Sequence, residues 1–162
     1  MTIMGSLRQD QNIVVQIARN FNAVDASADK IVKLVKEICI RCDLAAATVS
    51  IAIVDEAQIH KLNKEFLDHD RPTDCLSFDL SENEQKGSKS IEVIVNGEMA
   101  VREAEARGHS AEAELALYIT HGLLHNLGYD DSDVEAAKKM HEVEDEILKQ
   151  QGFGAVYNKG GE

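Results

Sequence analysis

Apolar residues follow two different spacings along this chain, and each spacing predicts a different element. Short runs of β-branched residues predict strands, whereas apolar residues that recur three and four positions apart predict amphipathic helices. Four runs of the first kind and five segments of the second kind occur. The predicted strands cover Ile13 to Ile17, Thr48 to Val54, Cys75 to Leu80 and Ile91 to Asn96.

Capping residues indicate where the predicted helices begin and end. Ser27, Asp55 and Ser110 each precede a helical segment, and a short oxygen side chain there can accept a backbone N–H of the first turn. Gly108 and Gly128 follow the third and fourth segments, where a left-handed glycine ends a helix. The residues expected on the buried helix faces are Ile31, Leu34, Val35, Ile38, Cys42, Ile59, Leu62, Phe66, Leu115, Ile119, Leu123, Met140, Val143 and Ile147.

Strands and helices interleave without strict alternation, which predicts a layered α+β fold. The length of 162 residues suits one domain, and a hydrophobic content of 44% is enough for one core. We therefore expect a single domain over residues 1–151. Residues 1–10 are expected to form a mobile leader, and the Gly-rich residues 152–162 a flexible tail.

Charge and composition narrow the possible partners. The formal net charge is -12, so the average field repels polyanions and any nucleic acid has to be held locally. No apolar stretch approaches the roughly 18 residues of a membrane span, and no secretory signal begins the chain. The three cysteines do not form a disulfide framework. These features predict a cytoplasmic protein without membrane or DNA partners.

A pair of histidines carries the candidate chemistry. His121 and His125 are four residues apart on a predicted helix, so both imidazoles can face one zinc ion. Gly128 can end this helix with a left-handed turn, which returns the chain and presents Asp131 as an oxygen ligand. Three protein ligands leave one coordination position for water, as in catalytic zinc sites. The spacing therefore predicts a hydrolase with one zinc ion per chain.

The residue after the first histidine distinguishes this chain from the metzincin class of zinc proteases. Two histidines four residues apart are by themselves more often surface or core residues, but HxxxHxxGxxD is a stronger pattern. Metzincin proteases share a similar ligand spacing and place a general-base glutamate directly after the first histidine. Gly122 occupies that position here. Proteolysis of the metzincin type is therefore disfavoured.

Two segments resemble the YbeY family of single-domain metallo-endoribonucleases. HGLLHNLGYDDSD, which begins at His121, is similar to the family signature HGxLHLxGYDH. LNKEFLDHDRPTDCLSF, from Leu62 to Phe78, resembles a second family block, LNxxYRxxDxPTDVLSF. The resemblance spans roughly residues 48–148.

Membership of this family would imply both a fold and a function. The implied fold is a mixed, roughly four-stranded sheet packed with about five helices, with a zinc site at the end of a central helix. The implied function is a single-strand endoribonuclease that acts in ribosomal RNA maturation and ribosome quality control. Its implied partners are ribosomal RNA and the ribosome or ribosome-associated proteins.

Two positions depart from the family pattern. Asp131 stands where the family has its third metal histidine, and its negative charge should leave a zinc-bound water less acidic. Asp130 is an alternative ligand, although the register favours Asp131. Leu67 stands at the position of a family arginine thought to contact RNA or the transition state. Arg71 can replace it through bidentate phosphate contacts, or it is a solvated loop cation.

A turn before the third strand supplies the remaining candidates. Pro72 keeps Arg71 out of the helical region, so residues 68–74 are expected to form an ordered turn. His69 in this turn is either a proton shuttle or a surface histidine. The predicted catalytic residues are thus His121, His125, Arg71 and His69. Thr73, Asp74 and Ser77 are expected either to line a substrate channel or to cap the turn.

Two other functions compete with the endoribonuclease. One is a zinc hydrolase that acts on another type of bond. The second is a ribosome-associated binding or assembly module that keeps zinc for stability and has little catalytic activity. On the last helix, Glu144 is expected to be solvated, and no role is predicted for His109 or His141.

Overall fold

The order of helices and strands follows the predicted pattern. The computed structural model describes residues 12–81 and 88–154. Most of the predicted leader and tail therefore lies outside the described residues. The elements are β1 (Ile13–Arg19), α1 (Ala28–Arg41), β2 (Ala46–Val54), α2 (Glu56–Leu67), β3 (Cys75–Asp79), β4 (Ser88–Asn96), α3 (Gly97–Arg107), α4 (Ala111–Asn126) and α5 (Val134–Gln150).

The four strands of the described residues form one mixed sheet. Their spatial order is β1-β2-β4-β3. β1, β2 and β4 are parallel, whereas β3 pairs antiparallel with β4 at the edge of the sheet. The predicted α+β fold with a mixed four-stranded sheet and five helices is confirmed. β4 begins at Ser88, three residues before the predicted start at Ile91.

The main core lies on one face of the sheet and encloses α4. Alternate residues of β2, such as Val49 and Ile51, point into this core together with Val93 of β4. α4 is buried from Ala113 to Thr120, since a helix between the sheet and other helices needs apolar residues on all sides. Helices α1 and α5 contribute the rest of this core. The predicted metal-binding helix is therefore held by the packing of the whole domain.

The opposite face of the sheet buries much less. A smaller cluster of Val54, Ile59, Leu76 and Ile94 lies under α2. The prediction that Phe66 is buried is wrong, because this residue is 62% exposed near the end of α2, beyond the cluster. Its ring meets Phe78 edge-on, with 5.9 Å between the ring centroids.

The predicted caps are confirmed at both ends of the helices. Ser27, Asp55 and Ser110 each accept a backbone N–H from the first turn of the helix that follows. Gly108 and Gly128 have φ angles of 76° and 106°, the left-handed values that favour glycine. Within the described ranges, no helix combines the length and apolar character that crossing a bilayer requires.

α4 approaches the sheet closely at the turn between its two histidines. A Cβ atom on Gly122 would lie 3.1 Å from Val93 Cγ1 and 3.6 Å from Cys75 Sγ, so glycine permits this approach. Ser77 of β3 donates a hydrogen bond to the Gly122 carbonyl at 2.9 Å and accepts one from Asn126. One serine thus ties the edge strand to the helix that carries His121.

Ser77→Ala should lower the free energy of unfolding by about 1 to 3 kcal/mol, because partly buried donor and acceptor groups lose their partner. Ser50→Ala is the matched control, since the Ser50 hydroxyl contacts Gln16 on the solvated face of the sheet. This control should change stability by less than about 0.5 kcal/mol. Urea denaturation of both variants checks the difference, and equal losses would contradict the role of Ser77.

Candidate functional site

The end of α4 forms the turn that the glycine position predicted. The helix ends at Asn126, and Gly128 adopts a left-handed conformation two residues later. The Tyr129 N–H then donates to the Leu124 carbonyl at 3.0 Å, which closes the turn in the manner of a Schellman motif. The chain therefore reverses direction immediately after the two histidines.

The two aspartates after this turn have different surroundings. Asp130 accepts hydrogen bonds from the Ser132 backbone N–H at 3.2 Å and from its hydroxyl at 2.9 Å. These bonds lower the pKa of Asp130 and assign it to the turn. Asp131 is exposed, and its charge contributes to the raised pKa of His121. Asp131 as the third metal ligand remains a prediction.

A buried carboxylate orients His121. Glu144 of α5 has 0% exposure, and its Oε2 atom lies 2.7 Å from His121 Nδ1. Its Oε1 atom lies 2.8 Å from Nδ1 of His141. The prediction that Glu144 is solvated is therefore wrong. Its spacing from Met140 and Ile147 places it on the buried face of the helix, and this signal could have identified it.

The contact with Glu144 defines the state of the His121 ring. A carboxylate accepts hydrogen bonds, so Nδ1 carries a proton, and in the neutral ring Nε2 presents a lone pair. Histidines that bind metals commonly donate their other ring N–H to a carboxylate in this way. The hydrogen bond that His121 donates to Glu144 raises the pKa of His121, burial opposes the rise, and the charges of Glu144, Asp74 and Asp131 add to it.

The three predicted metal ligands lie close in sequence but do not form a complete site. His121 and His125 occupy successive turns of α4, and His125 is exposed, as is Asp131 in the following loop. Across residues 12–81 and 88–154, no group of three or more His, Cys, Asp or Glu side chains is arranged to hold a metal ion. Imidazole nitrogen and carboxylate oxygen are donors that zinc accepts, and the Nδ1 contact of His121 suits ligation through Nε2. The three side chains are, however, not arranged around one common point. Zinc binding therefore remains a prediction.

A polar cavity of about 320 Å³ opens beside His121. Its wall carries the carboxylates of Asp74, Glu103, Glu114 and Glu144, and it also includes Arg107, Tyr118 and His141. Asp74 caps the turn, because its Oδ1 atom accepts the Cys75 N–H at 2.7 Å, and it also lines this cavity, while a role in a substrate channel remains a prediction. Thr73 contacts Asp74, and Ser77 anchors α4.

Two predicted catalytic residues in the turn before β3 do not line this cavity. His69 and Arg71 are both exposed, and the described lining of the cavity includes neither. The Arg71 N–H donates to the His69 carbonyl at 2.9 Å, and Asn63 Nδ2 donates to the Arg71 carbonyl at 2.9 Å. The backbone of the turn is thus ordered, while catalytic roles for the two side chains remain predictions.

A second buried carboxylate lies deeper in the cavity wall. Glu114 has 0% exposure, one of its oxygens contacts His109 Nε2, and the other lies 3.4 Å from Arg107 Nη1. The phenol of Tyr118 is buried beside it, and burial together with the Glu114 charge raises the pKa of Tyr118. No role was predicted for His109. The available signal was a glutamate inside an otherwise apolar stretch of α4.

Comparison with known proteins identifies the family. The family model described as endoribonuclease YbeY matches residues 11–152. The chain belongs to the endoribonuclease YbeY family. This confirms the resemblance seen in the two sequence motifs and extends it toward both ends of the chain. Membership places the chain in a class of hydrolases that cut RNA internally.

Individual relatives agree with this membership. The endoribonuclease YbeY of Heliobacterium modesticaldum is 35% identical over 116 residues, which cover 65% of this chain and 70% of the relative. That of Thermoanaerobacter sp. (strain X514) is 31% identical over 167 residues, which cover 95% and 99%. The solution structure of a Thermotoga maritima protein has a TM-score of 0.55 at 25% identity and covers 85% of this chain and 91% of its own.

In this YbeY chain, Glu144→Gln should lower the His121 pKa toward its ordinary value, because an amide carries no charge. Histidine NMR titration of protein dialysed against a chelator measures this shift. Because the His121 pKa is higher in the folded than in the unfolded chain, protonation of His121 stabilises the fold. This contribution is complete at pH values below the unfolded pKa of about 6.5 and is lost as pH rises through the folded pKa. The advantage of the parent chain over Glu144→Gln should therefore shrink as pH rises.

Glu146→Gln is the control for this measurement. Glu146 lies on the same helix, is 54% exposed at its side chain and pairs with Arg41. It should leave the His121 pKa unchanged. An unchanged His121 pKa in Glu144→Gln as well would contradict the orientation of the ring by Glu144.

Proposed function

We propose that this chain is a zinc-dependent endoribonuclease that cuts single-stranded RNA and acts in ribosomal RNA maturation. The observation that carries the proposal is the family match, combined with His121 held by a buried carboxylate at the edge of a polar cavity. Relatives with full-length similarity are named endoribonuclease YbeY.

We assign zinc binding to His121, His125 and Asp131, with one ion per chain. Zinc, when bound, supplies Lewis acidity and makes water acidic enough to act as a nucleophile near neutral pH. Glu144 holds the His121 proton on Nδ1, so the neutral ring directs the Nε2 lone pair to ligation. Gly128 reverses the chain, so that Asp131 follows the histidines in the next loop.

Other residues of the chain are assigned to substrate binding. Asp74 lines the cavity beside His121 and accepts hydrogen bonds at its carboxylate. Arg71 as a phosphate contact and His69 as a proton shuttle enter the proposal from the sequence. Both lie in the turn that leads to Asp74.

The cellular part of the proposal concerns the ribosome. We assign the chain to ribosomal RNA maturation and ribosome quality control in the cytoplasm, with the ribosome or ribosome-associated proteins as partners. A net charge of -12 does not attract RNA at long range, so local contacts or a ribosomal partner have to bring the substrate.

One rival function has structural support. Leu67, at the position of the family arginine, is 46% exposed and cannot bind phosphate. This observation favours a ribosome-associated assembly module with little catalytic activity, which would keep zinc for stability and bind ribosomal particles without cleaving RNA.

Metal analysis and RNA cleavage together test the proposal. The purified chain should carry about one zinc ion and cleave single-stranded RNA, because three ligands suffice for a catalytic site. His121→Ala and His125→Ala should lose both zinc and cleavage. The control is His60→Ala, a histidine on α2 that pairs with Asp70. Cleavage that persists in both variants would reveal a contaminating nuclease, and binding of ribosomal particles without cleavage would favour the assembly module.

Replacing Asp131 tests the third ligand. Asp131→His should raise the zinc affinity or shift the pH profile of cleavage downward, because a neutral imidazole removes one negative charge from the site. Zinc titration with a competing chelator and a pH series measure the two effects. Asp130→Asn should change neither. If Asp131→His changes neither property, the assignment of Asp131 is wrong.

A further inference from the structure

The wall of the cavity beside His121 carries more acidic than basic side chains. Four carboxylates line it, and carboxylates accept hydrogen bonds but do not donate them when ionised. RNA phosphates are also acceptors, so a phosphate at this wall needs a donor of opposite charge. Among the described residues that line the cavity, Arg107 is the one lysine or arginine.

Arg107 reaches this position from the end of α3. It is the last residue of that helix, and Gly108 follows with a left-handed φ of 76°. A cation at the C-terminus of a helix is favoured by the helix dipole. The turn after Gly108 leads directly to α4, so Arg107 and His121 face the same cavity from neighbouring helices.

The buried Glu114 holds the guanidinium in place. Arg107 Nη1 lies 3.4 Å from Glu114 Oε1, and the second Glu114 oxygen contacts His109. Glu114 is fully buried, whereas the Arg107 side chain is 36% exposed. A guanidinium has several N–H donors, so one carboxylate leaves others for a second acceptor. The ion pair therefore keeps the guanidinium next to Glu114 in the cavity lining and leaves other donors for a phosphate.

The other candidate positions for a phosphate contact are placed less well. Leu67 has no donor, and Arg71 is exposed in a turn outside the described cavity lining. Arg107 combines a permanent charge, an ion pair with a buried carboxylate and a place in the lining of the cavity beside His121. Its fork of donors also matches two phosphate oxygens at once.

We propose that Arg107 binds a phosphate of the RNA substrate in the cavity beside His121, and that Glu114 positions its guanidinium. This inference rests on the proposed endoribonuclease function. Without Arg107 the wall would present four carboxylates to a phosphate, so the loss should appear mainly as weaker RNA binding.

Binding of a 2′-O-methyl RNA oligonucleotide, which resists cleavage, tests the proposal by fluorescence anisotropy at several salt concentrations. Arg107→Gln should weaken binding about tenfold or more, because a charge-assisted hydrogen bond is lost. The slope of log affinity against log salt should become shallower by about 0.7, the value for one phosphate contact on a single strand. Zinc content should stay unchanged.

The matched control is Arg102→Gln on the same helix. Arg102 Nη2 lies 2.8 Å from Glu56 Oε1, and Arg102 does not belong to the described lining of the cavity. It should leave RNA binding and the salt slope unchanged. Arg107→Lys should keep the ion pair with Glu114 and the thermal stability, but recover only part of the affinity because a lysine does not bind phosphate bidentately. If Arg107→Gln does not fold, Arg107→Lys decides the test.

The outcomes separate this inference from the proposed function. A parent chain that neither binds nor cleaves RNA would remove the proposed function itself. If the parent binds and cleaves RNA while Arg107→Gln binds with unchanged affinity and salt slope, the inference is overturned. Where Arg107→Gln does not fold, an unchanged affinity in Arg107→Lys overturns it. A loss of affinity in Arg71→Gln with none in Arg107→Gln would also overturn it, in favour of Arg71.

Discussion

The buried contact between Glu144 and two histidines constrains the whole candidate site. A buried carboxylate without partners is costly, so the charge between α4 and α5 depends on the imidazoles at 2.7 and 2.8 Å. The same contact sets the orientation and proton position of His121. The geometry of the site is therefore coupled to the packing of α5, whose Met140 and Ile147 anchor that helix in the main core.

The second buried carboxylate repeats this arrangement at the far side of the cavity. Glu114 meets one imidazole and one guanidinium, as Glu144 meets two imidazoles. Each carboxylate is buried by helix packing and contacts a side chain that lines the cavity, either the Arg107 guanidinium or the imidazole of the predicted metal ligand His121. The protein as a whole is acidic, so its average electrostatic field does not attract RNA. The position at which RNA is held therefore has to depend on a few locally placed cationic side chains.

The features that were predicted correctly from the sequence depend on interactions between residues close together in the chain. Strand periodicity, the serine and aspartate caps and the glycine stop at Gly128 depend on neighbouring residues alone. Phe66 and Glu144 were predicted wrongly because their burial depends on which helix face meets the core. α2 covers only a small cluster, whereas α5 buries a face that includes a charged residue. Arg107 gave no local signal, because its position beside His121 arises from the packing of α3 against α4.

The central claim is that His121 and His125 are zinc ligands on one helix, together with an oxygen donor from the following loop. X-ray absorption at the zinc edge of the purified chain tests this most directly. The account predicts nitrogen and oxygen neighbours at about 2.0 to 2.2 Å with the scattering pattern of two imidazoles. Sulfur neighbours at about 2.3 Å, or zinc without imidazole scattering, would contradict it.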